Sequence, residues 1–375
     1  MGRRAYIYCP HIGGGTPLIP RGGTYAVLGI TISDLLYRRR QFLIAIFGAG
    51  LVFAMTFLLA GLTNGFAVEI DQTVTGLHAD VWVVKAGSAA RVASLTPFAE
   101  SEVAGVASTP GVTSATPVIV IPQTANLSGT LTQVNMIGTP VGSAPGQQPL
   151  TAGSQVSGSG QAVVDQRLNA SLGSQVSVGG HEFRVVGITS DRTMLGGIPN
   201  MYVPLADAQA AVFQGAPIIS AVIVTGSPSS VPAGLATFSN QQIDAGSLQQ
   251  MSTAVSSINN SKLFMWVIAA VIVASLVYVT ALERTRDFAV LKALGASSGK
   301  LYLGLAFQAV LVALIAAIIA VVLAQFMTGM FAQPIDYPTS AYVTLPLSAV
   351  VVGLLASLIA LRRAVGADPA KAFAG

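Results

Sequence analysis

The chain alternates between long apolar stretches and an ordinary polar segment. Four stretches of about 20 residues carry no charged side chain, and each is long enough to cross a bilayer as a helix. They cover residues 42–62, 263–282, 301–326 and 343–361. Soluble helices are usually much shorter, so four such stretches in one chain predict four transmembrane helices.

The polar segment between the first two stretches has the pattern of a folded domain. Alternating apolar and polar positions predict short strands near 80–84, 112–121, 132–137 and 218–224. The clearest signal is a hairpin, in which 175–178 and 181–186 flank Gly179-Gly180. Helices are predicted near 97–107, 205–213 and 247–257, the last running into the second span, and 141–160 is predicted to be a flexible connection. Residues 63–261, called the outer domain below, are therefore expected to form an α+β domain.

Composition and the distribution of charged residues together predict the membrane topology. The chain is 52% hydrophobic and only 9% charged, against about 25% charged residues in soluble domains. Most of its 19 Lys and Arg residues lie in the two tails and in the loop after the second span, whereas the outer domain holds few. Because cytoplasmic loops are enriched in Lys and Arg, both termini are expected to be cytoplasmic and the outer domain to face outward.

The predicted organisation is an integral membrane α-helical protein with four transmembrane helices and a large α+β extracytoplasmic domain between helices 1 and 2. We expect it in the cell membrane as a multi-pass protein. The predicted boundaries are 1–41 (cytoplasmic tail and amphipathic helix), 42–62 (span 1), 63–261 (extracytoplasmic domain), 262–282 (span 2), 283–300 (cytoplasmic loop), 301–326 (span 3), 327–342 (short outer loop), 343–361 (span 4) and 362–375 (cytoplasmic tail).

Several function classes find no support in the sequence. The net charge of +4 follows topology rather than forming a basic patch, so no nucleic-acid partner is expected. The single cysteine argues against a disulfide framework, and the three histidines lie far apart. The carboxylates Asp165, Glu182, Asp191 and Asp207 are isolated in sequence and are interpreted as solvated surface residues. No phosphate-binding loop with its lysine is present, so no cofactor, catalytic residue or intrinsic ATPase activity is predicted.

The cytoplasmic loop carries the most informative motif, LERTRDFAVLKALGAS from Leu282 to Ser297. Phe288, Leu291 and Leu294 share one face at helical spacing, and Gly295 suits a left-handed C-terminal cap. The loop is thus predicted to be a short amphipathic helix at the membrane surface. From the residues alone, a simple interfacial anchor and a docking surface for a cytoplasmic partner are equally favoured.

This loop resembles the signature of the FtsX-like, macrolide-exporter-type (type VII) ABC transporter permeases, in which the motif is R-E-I-x-V-L-[KR]-A-L-G-A-[ST]. Here Asp287 replaces the usual Glu and Phe288 the usual Ile. The C-terminal LRRAVGADPAKAF and the outer-domain segments SLGSQVSVGGHEFRVVGI and MYVPLADAQ are similar to the same family. The resemblance covers about residues 24–373.

The resemblance implies a permease subunit without catalytic activity. Two permease subunits would pair with cytoplasmic ABC ATPase subunits, whose closure moves the outer domains by mechanotransmission, for export or other envelope work, in some members with an extracytoplasmic partner. The ATPase-coupling residues implied by the motif are Glu283, Arg284, Asp287, Phe288, Leu291, Lys292 and Gly295. The alternative is a membrane-anchored regulator or sensor of an extracytoplasmic partner that transports nothing.

Small residues in the first span predict a close helix contact. Ala45, Ala49, Gly50 and Ala54 form two pairs spaced four residues apart, which is the spacing that lets two membrane helices approach closely. We therefore expect a homodimer with the first span near its two-fold axis.

Overall fold

A computed structural model describes residues 39–283, 297–331 and 333–364. Within these ranges, helices α1 to α7 occupy Arg39–Gly76, Glu102–Ala107, Leu205–Phe213, Asn240–Gln250, Ser252–Glu283, Ser298–Thr328 and Thr339–Ala364. Four of them, α1, α5, α6 and α7, are long and apolar enough to cross a membrane. The prediction of four membrane helices with a large domain between the first and second is confirmed.

The outer domain is built on a mixed sheet. Strands β1 to β13 occupy Val81–Lys85, Phe98–Ala99, Val112–Leu127, Thr130–Thr139, Ala152–Gly153, Gln161–Asp165, Gln175–Val178, His181–Thr189, Thr193–Met194, Ile198–Pro204, Ile218–Ile219, Ala221–Gly226 and Leu235–Phe238. The main sheet has the order β13-β1-β12-β3-β4-β10-β6-β8-β5, with β7 paired to β3 and β8 and β9 paired to β10. The β4–β10 and β6–β8 pairs are parallel, whereas β3–β4 is an antiparallel hairpin.

Side chains of the sheet alternate between two cores. In β1, Val83 packs on one face with Phe98 and Val106, while Trp82 and Val84 pack on the other. The first face is covered by α2 and α3, and the second by the end of α1 and by α4. This period of two is what strand geometry requires of a sheet that is buried on both faces.

Several local predictions are confirmed and others are wrong. The Gly179-Gly180 hairpin forms, and α3 lies at 205–213 as predicted. The helix predicted at 97–107 begins only at Glu102, because Phe98–Ala99 pairs as a strand with β11. The continuous helix predicted at 247–257 is broken at Met251, which separates α4 from α5.

Contacts divide the chain into two compact units. One comprises the described parts of Met1–Ile46, Ala270–Ala313 and Val350–Gly375. Within it, a methyl group at Gly353 would overlap the backbone of Val310, so α6 and α7 approach closely at this point. The other unit comprises Phe47–Ala269 and Leu314–Ala349 and contains the outer domain.

The face of α1 predicted for the dimer contact is used within the chain itself. Ala49 and Ala54 are fully buried, and the Gly50 backbone lies against Ala316 and Ile319 of α6. Ala45 is partly buried. Gly50 therefore serves helix packing inside one subunit, and Ala49 and Ala54 are buried within it as well.

Candidate functional site: the clamp between the first helix and the outer domain

The end of α1 is part of the outer-domain core. The helix continues to Gly76, well past Leu62 where the apolar stretch ends. Ile70 and Val74 on this helix, and Leu77 directly after its end, are fully buried among residues of the sheet. Burying three such side chains contributes roughly 1.5–3 kcal/mol each. The membrane helix and the outer domain are thus joined by packing as well as by the chain.

A buried carboxylate fixes this helix to the β9–β10 hairpin. Glu69 is 2% exposed, and its two oxygens accept hydrogen bonds from the backbone N–H groups of Gly196, at 3.0 Å, and Gly197, at 2.7 Å. Both glycines have positive φ, +88° and +96°, a conformation that other residues rarely adopt. Successive N–H groups in such a turn form an anion-binding concavity.

A buried polar network extends this contact by one turn of α1. The Thr73 hydroxyl donates to the Thr193 carbonyl oxygen at 3.1 Å and accepts from Asn200 Nδ2 at 3.2 Å. Asn200 Oδ1 in turn accepts from Asn135 Nδ2 at 3.2 Å, which links the network to β4. Polar groups this deeply buried are costly to leave unpaired, so they specify one docking position of the helix.

Two side chains from the outer domain cap the carbonyl groups at the end of α1. Arg192 Nη1 donates to the Gln72 carbonyl oxygen at 3.0 Å, and Gln148 Nε2 donates to that of Gly76 at 2.9 Å. The last carbonyl groups of a helix have no partner within it, and a cation there also favours the helix dipole. We call Glu69, Thr73, Arg192, Gly196 and Gly197 the clamp.

Asp165 holds the Arg192 loop in place. Its Oδ2 accepts from the Arg192 backbone N–H at 2.7 Å and its Oδ1 from that of Arg167 at 3.0 Å. Asp165 is fully buried, so its interpretation as a solvated surface residue is wrong. Burial raises the pKa of this carboxyl, while the two backbone hydrogen bonds oppose that rise. Its role is structural, because both oxygens bind backbone groups.

The loop between α6 and α7 packs against α1 just below the clamp. Phe57 stacks on Tyr337 with ring centroids 4.5 Å apart. Asn64 Nδ2 donates to Asp336 Oδ2 at 2.7 Å. Gly61 and Gly65 lie one turn apart and face this loop, and a methyl group at Gly65 would overlap the Pro334 carbonyl oxygen. The small residues thus allow a backbone-to-helix contact.

Replacing Gly65 with Ala is expected to displace the outer loop and destabilise the protein by about 1–3 kcal/mol, because the close neighbour is a backbone carbonyl. Gly48→Ala is the matched control, since nothing lies within 4 Å of the added methyl group on the same helix. Thermal unfolding of the full chain in detergent measures the stability of both variants. Equal unfolding temperatures for the two variants would contradict this packing.

The helix before the second membrane helix is also attached to the outer domain. Asn240 in α4 accepts from Trp82 Nε1 at 2.8 Å and donates to the Ala79 carbonyl oxygen at 2.9 Å. Ser247 Oγ accepts from the Val92 backbone N–H at 3.1 Å. Unlike α1, which enters the domain without a break, α5 starts only after the interruption at Met251.

The Asp244 carboxyl on α4 weakens this region at neutral pH. Its Oδ1 is buried with no hydrogen-bond partner among the described residues. Burial, followed by the negative charge of Asp71 on α1, raises the pKa of Asp244 from 3.8 to about 6. Because the folded pKa is the higher one, the folded state favours the protonated carboxyl, and stability falls as the pH rises from about 4 to about 6.

Asp244→Asn is therefore expected to raise the unfolding temperature at about pH 7.5 and to change it little at about pH 4.5. Asp207→Asn is the matched control and is expected to lower the unfolding temperature. Its oxygens accept from Ser159 Oγ at 2.6 Å and the Gly160 backbone N–H at 2.7 Å, so the same change removes hydrogen bonds there. A pH-independent effect of Asp244→Asn on thermal unfolding would refute the argument.

The structure places little of the predicted coupling loop. Glu283 is the last residue of α5. Arg284, Asp287, Phe288, Leu291, Lys292 and Gly295 lie outside the described residues. The clamp was missed from the sequence, in which its only traces are the Gly196-Gly197 pair and a Glu two turns after a membrane span, and neither trace points to the other. Among the described residues, no three His, Cys, Asp or Glu side chains are grouped to hold a metal ion.

Two protein families match this chain, one over the outer domain and one over the later membrane helices. Residues 42–237 match the MacB-like periplasmic core domain, and residues 262–369 match the FtsX-like permease C-terminal family. The periplasmic region of MacB from Actinobacillus actinomycetemcomitans covers 46% of this chain and 94% of its own length, with 15% identity and a TM-score of 0.35. The extracellular domain of the noncanonic ABC-type transporter YknZ from Gram-positive bacteria covers 40% and 84%, with 20% identity and a TM-score of 0.31.

Full-length relatives are similar throughout. An uncharacterized ABC transporter permease of Mycobacterium tuberculosis is 39% identical over 93% of this chain and 100% of its own length. A second permease of the same organism is 37% identical over the same shares. With two family matches that cover both halves of the chain and relatives that align along their whole length, the protein is a multi-pass membrane protein that belongs to the FtsX- and MacB-type ABC transporter permeases.

Proposed function

We propose that this permease couples ATP hydrolysis by a separate cytoplasmic ATPase subunit to movement of its outer domain. The observation that supports the proposal best is the path of α1. This helix runs without interruption from Arg39 to Gly76, and its end is fixed to the outer domain by the clamp and by three buried apolar side chains. A displacement of such a helix moves the β9–β10 hairpin with it.

The cytoplasmic side of the proposal rests on the loop motif. The helical spacing of the sequence predicts that Phe288 and Leu291 share an apolar face, on a loop that the distribution of Lys and Arg predicts to be cytoplasmic. An apolar face beside water is typical of a surface that a partner covers. We propose that the ATPase subunit docks there and that both termini are cytoplasmic.

The active form is proposed to be a homodimer. Because the small residues of α1 are largely buried inside the chain, we propose that another face of this helix forms the contact between subunits. Leu43, Phe47 and Leu51 form an exposed apolar stripe at a spacing of four residues, with exposed fractions of 60%, 57% and 46%. We propose that this stripe contacts the second copy rather than lipid. Disulfide cross-linking of a cysteine at Phe47 should join two copies, whereas one at the buried Ala49 should not.

Reconstitution with the cognate ATPase tests the proposed function. We expect the chain alone to show no nucleotide turnover, and the complex in vesicles to hydrolyse ATP at a rate that depends on the permease. If the chain instead acts as a membrane-anchored regulator or sensor, the ATPase subunit will neither co-purify with it nor change its turnover when the permease is added.

A further inference from the structure

A polar cavity lies beside the clamp. Its volume is about 250 Å³. One wall is the face of α1 that carries Gly65 and Glu69, a second is the loop with Asp336, and a third comes from the outer-domain loops with Arg167, Asp191 and Thr193. Drug-sized ligands usually occupy pockets of roughly 300–1,000 Å³. The cavity therefore suits a small polar group rather than a whole transported molecule.

The position of the cavity along α1 relates it to the membrane surface. Gly65 lies one turn beyond Leu62, where the apolar stretch of the first span ends. Asp336 lies in the short loop that joins the membrane helices α6 and α7. Lipid headgroups occupy this depth, since the polar layer of a bilayer extends beyond its hydrocarbon core of about 30 Å.

The lining carries both signs of charge. Glu69, Asp191 and Asp336 supply three carboxylates, and Arg167 supplies one guanidinium group. Two of the carboxylates are already fixed: Glu69 by the Gly196 and Gly197 N–H groups, and Asp336 by Asn64. Carboxylates favour a primary ammonium group, which can donate hydrogen bonds to them, and a guanidinium group favours a phosphate.

We propose that this cavity binds the headgroup of a phospholipid that bears a primary ammonium group, as in phosphatidylethanolamine. The ammonium group lies between the carboxylates of Asp191 and Asp336, next to the clamp, and the phosphate lies towards Arg167. The lipid therefore rests against the clamp from the outer leaflet. The proposal needs no ATPase and stands whether or not the coupling function does.

The test uses the full chain in lipid nanodiscs. One set contains phosphatidylcholine with phosphatidylglycerol, and the other replaces the phosphatidylcholine with phosphatidylethanolamine. The two zwitterionic lipids carry the same charge, but the choline group has no N–H donor. We expect phosphatidylethanolamine to raise the unfolding temperature of the wild-type chain and to be retained preferentially in native mass spectrometry.

Two variants identify the site. Asp191→Asn and Asp336→Asn should each weaken phosphatidylethanolamine retention about tenfold, because a charge-assisted hydrogen bond is lost. Glu182→Gln, an exposed carboxylate in β8 away from the cavity, is the matched control and should leave retention unchanged.

Three results would overturn the proposal. One is equal stabilisation by the two zwitterionic lipids, and another is full retention by both Asn variants. The third is equal stabilisation by soluble phosphoethanolamine added to phosphatidylcholine nanodiscs, which would place a free metabolite rather than a lipid in the cavity.

Discussion

Glu69→Lys is expected to release the end of α1 from the β9–β10 hairpin. The substitution removes two hydrogen bonds to the Gly196 and Gly197 N–H groups and places a cation against donors that carry partial positive charge. Leaving a buried charge without its partner typically costs about 3–5 kcal/mol. Hydrogen–deuterium exchange should show a large loss of protection in residues 193–200. In the reconstituted complex, ATP trapping should no longer move the outer domain.

Two further variants keep this prediction separate from simple misfolding. Glu69→Gln retains the size of the side chain and one carbonyl acceptor, so the expected loss is smaller, about 1–2 kcal/mol. Asp71→Asn changes an exposed carboxylate on the same helix outside the clamp and should leave the protection of 193–200 unchanged. If Glu69→Lys exchanges at the wild-type rate in this segment, the clamp does not hold the helix.

Phe288→Glu and Leu291→Glu are expected to abolish docking of the ATPase subunit. Either change would bury an unpaired carboxylate in the groove of the partner, which costs several kcal/mol and so lowers the affinity about a hundredfold or more. Gly295→Val should act similarly through geometry, because a β-branched residue resists the left-handed conformation of the predicted cap. Co-purification of the ATPase subunit with the permease measures the effect.

Ala289→Glu is the matched control, since Ala289 lies on the opposite side of the predicted helix from Leu291. It should leave co-purification intact. If the loop is only an interfacial anchor, the Phe288 and Leu291 variants will recover the ATPase subunit as well as Ala289→Glu does, and the effect will be confined to membrane association.

The membrane helices and parts of the outer domain were predictable because their signals are local. An uncharged run of about 20 residues or a Gly179-Gly180 turn between alternating strands is complete in the sequence. Strand β10 could not be predicted from alternation, since it is buried along nearly its whole length; only the family resemblance of MYVPLADAQ indicated a strand there. Its parallel partner β4 is distant in sequence.

The clamp could not be derived from the sequence because each of its parts has an ordinary local interpretation. Glu69 looks like a solvated residue after a span, and Gly196-Gly197 looks like a turn. Their pairing depends on a contact between positions 127 and 128 residues apart. The use of Ala49 and Gly50 within one chain was missed for the same reason, since a small-residue pattern does not say which helix it will meet.

The central claim is that ATP binding at the cytoplasmic side moves the outer domain through α1. The most direct test is the distance between spin labels at Thr130 in the two copies of a reconstituted complex, after Cys9 has been replaced by Ser. Thr130 is exposed at the turn between β3 and β4. The account predicts a distance change on ATP trapping in the wild-type complex and none in Glu69→Lys. An unchanged distance in a wild-type complex that hydrolyses ATP, or the same change in both proteins, would contradict it.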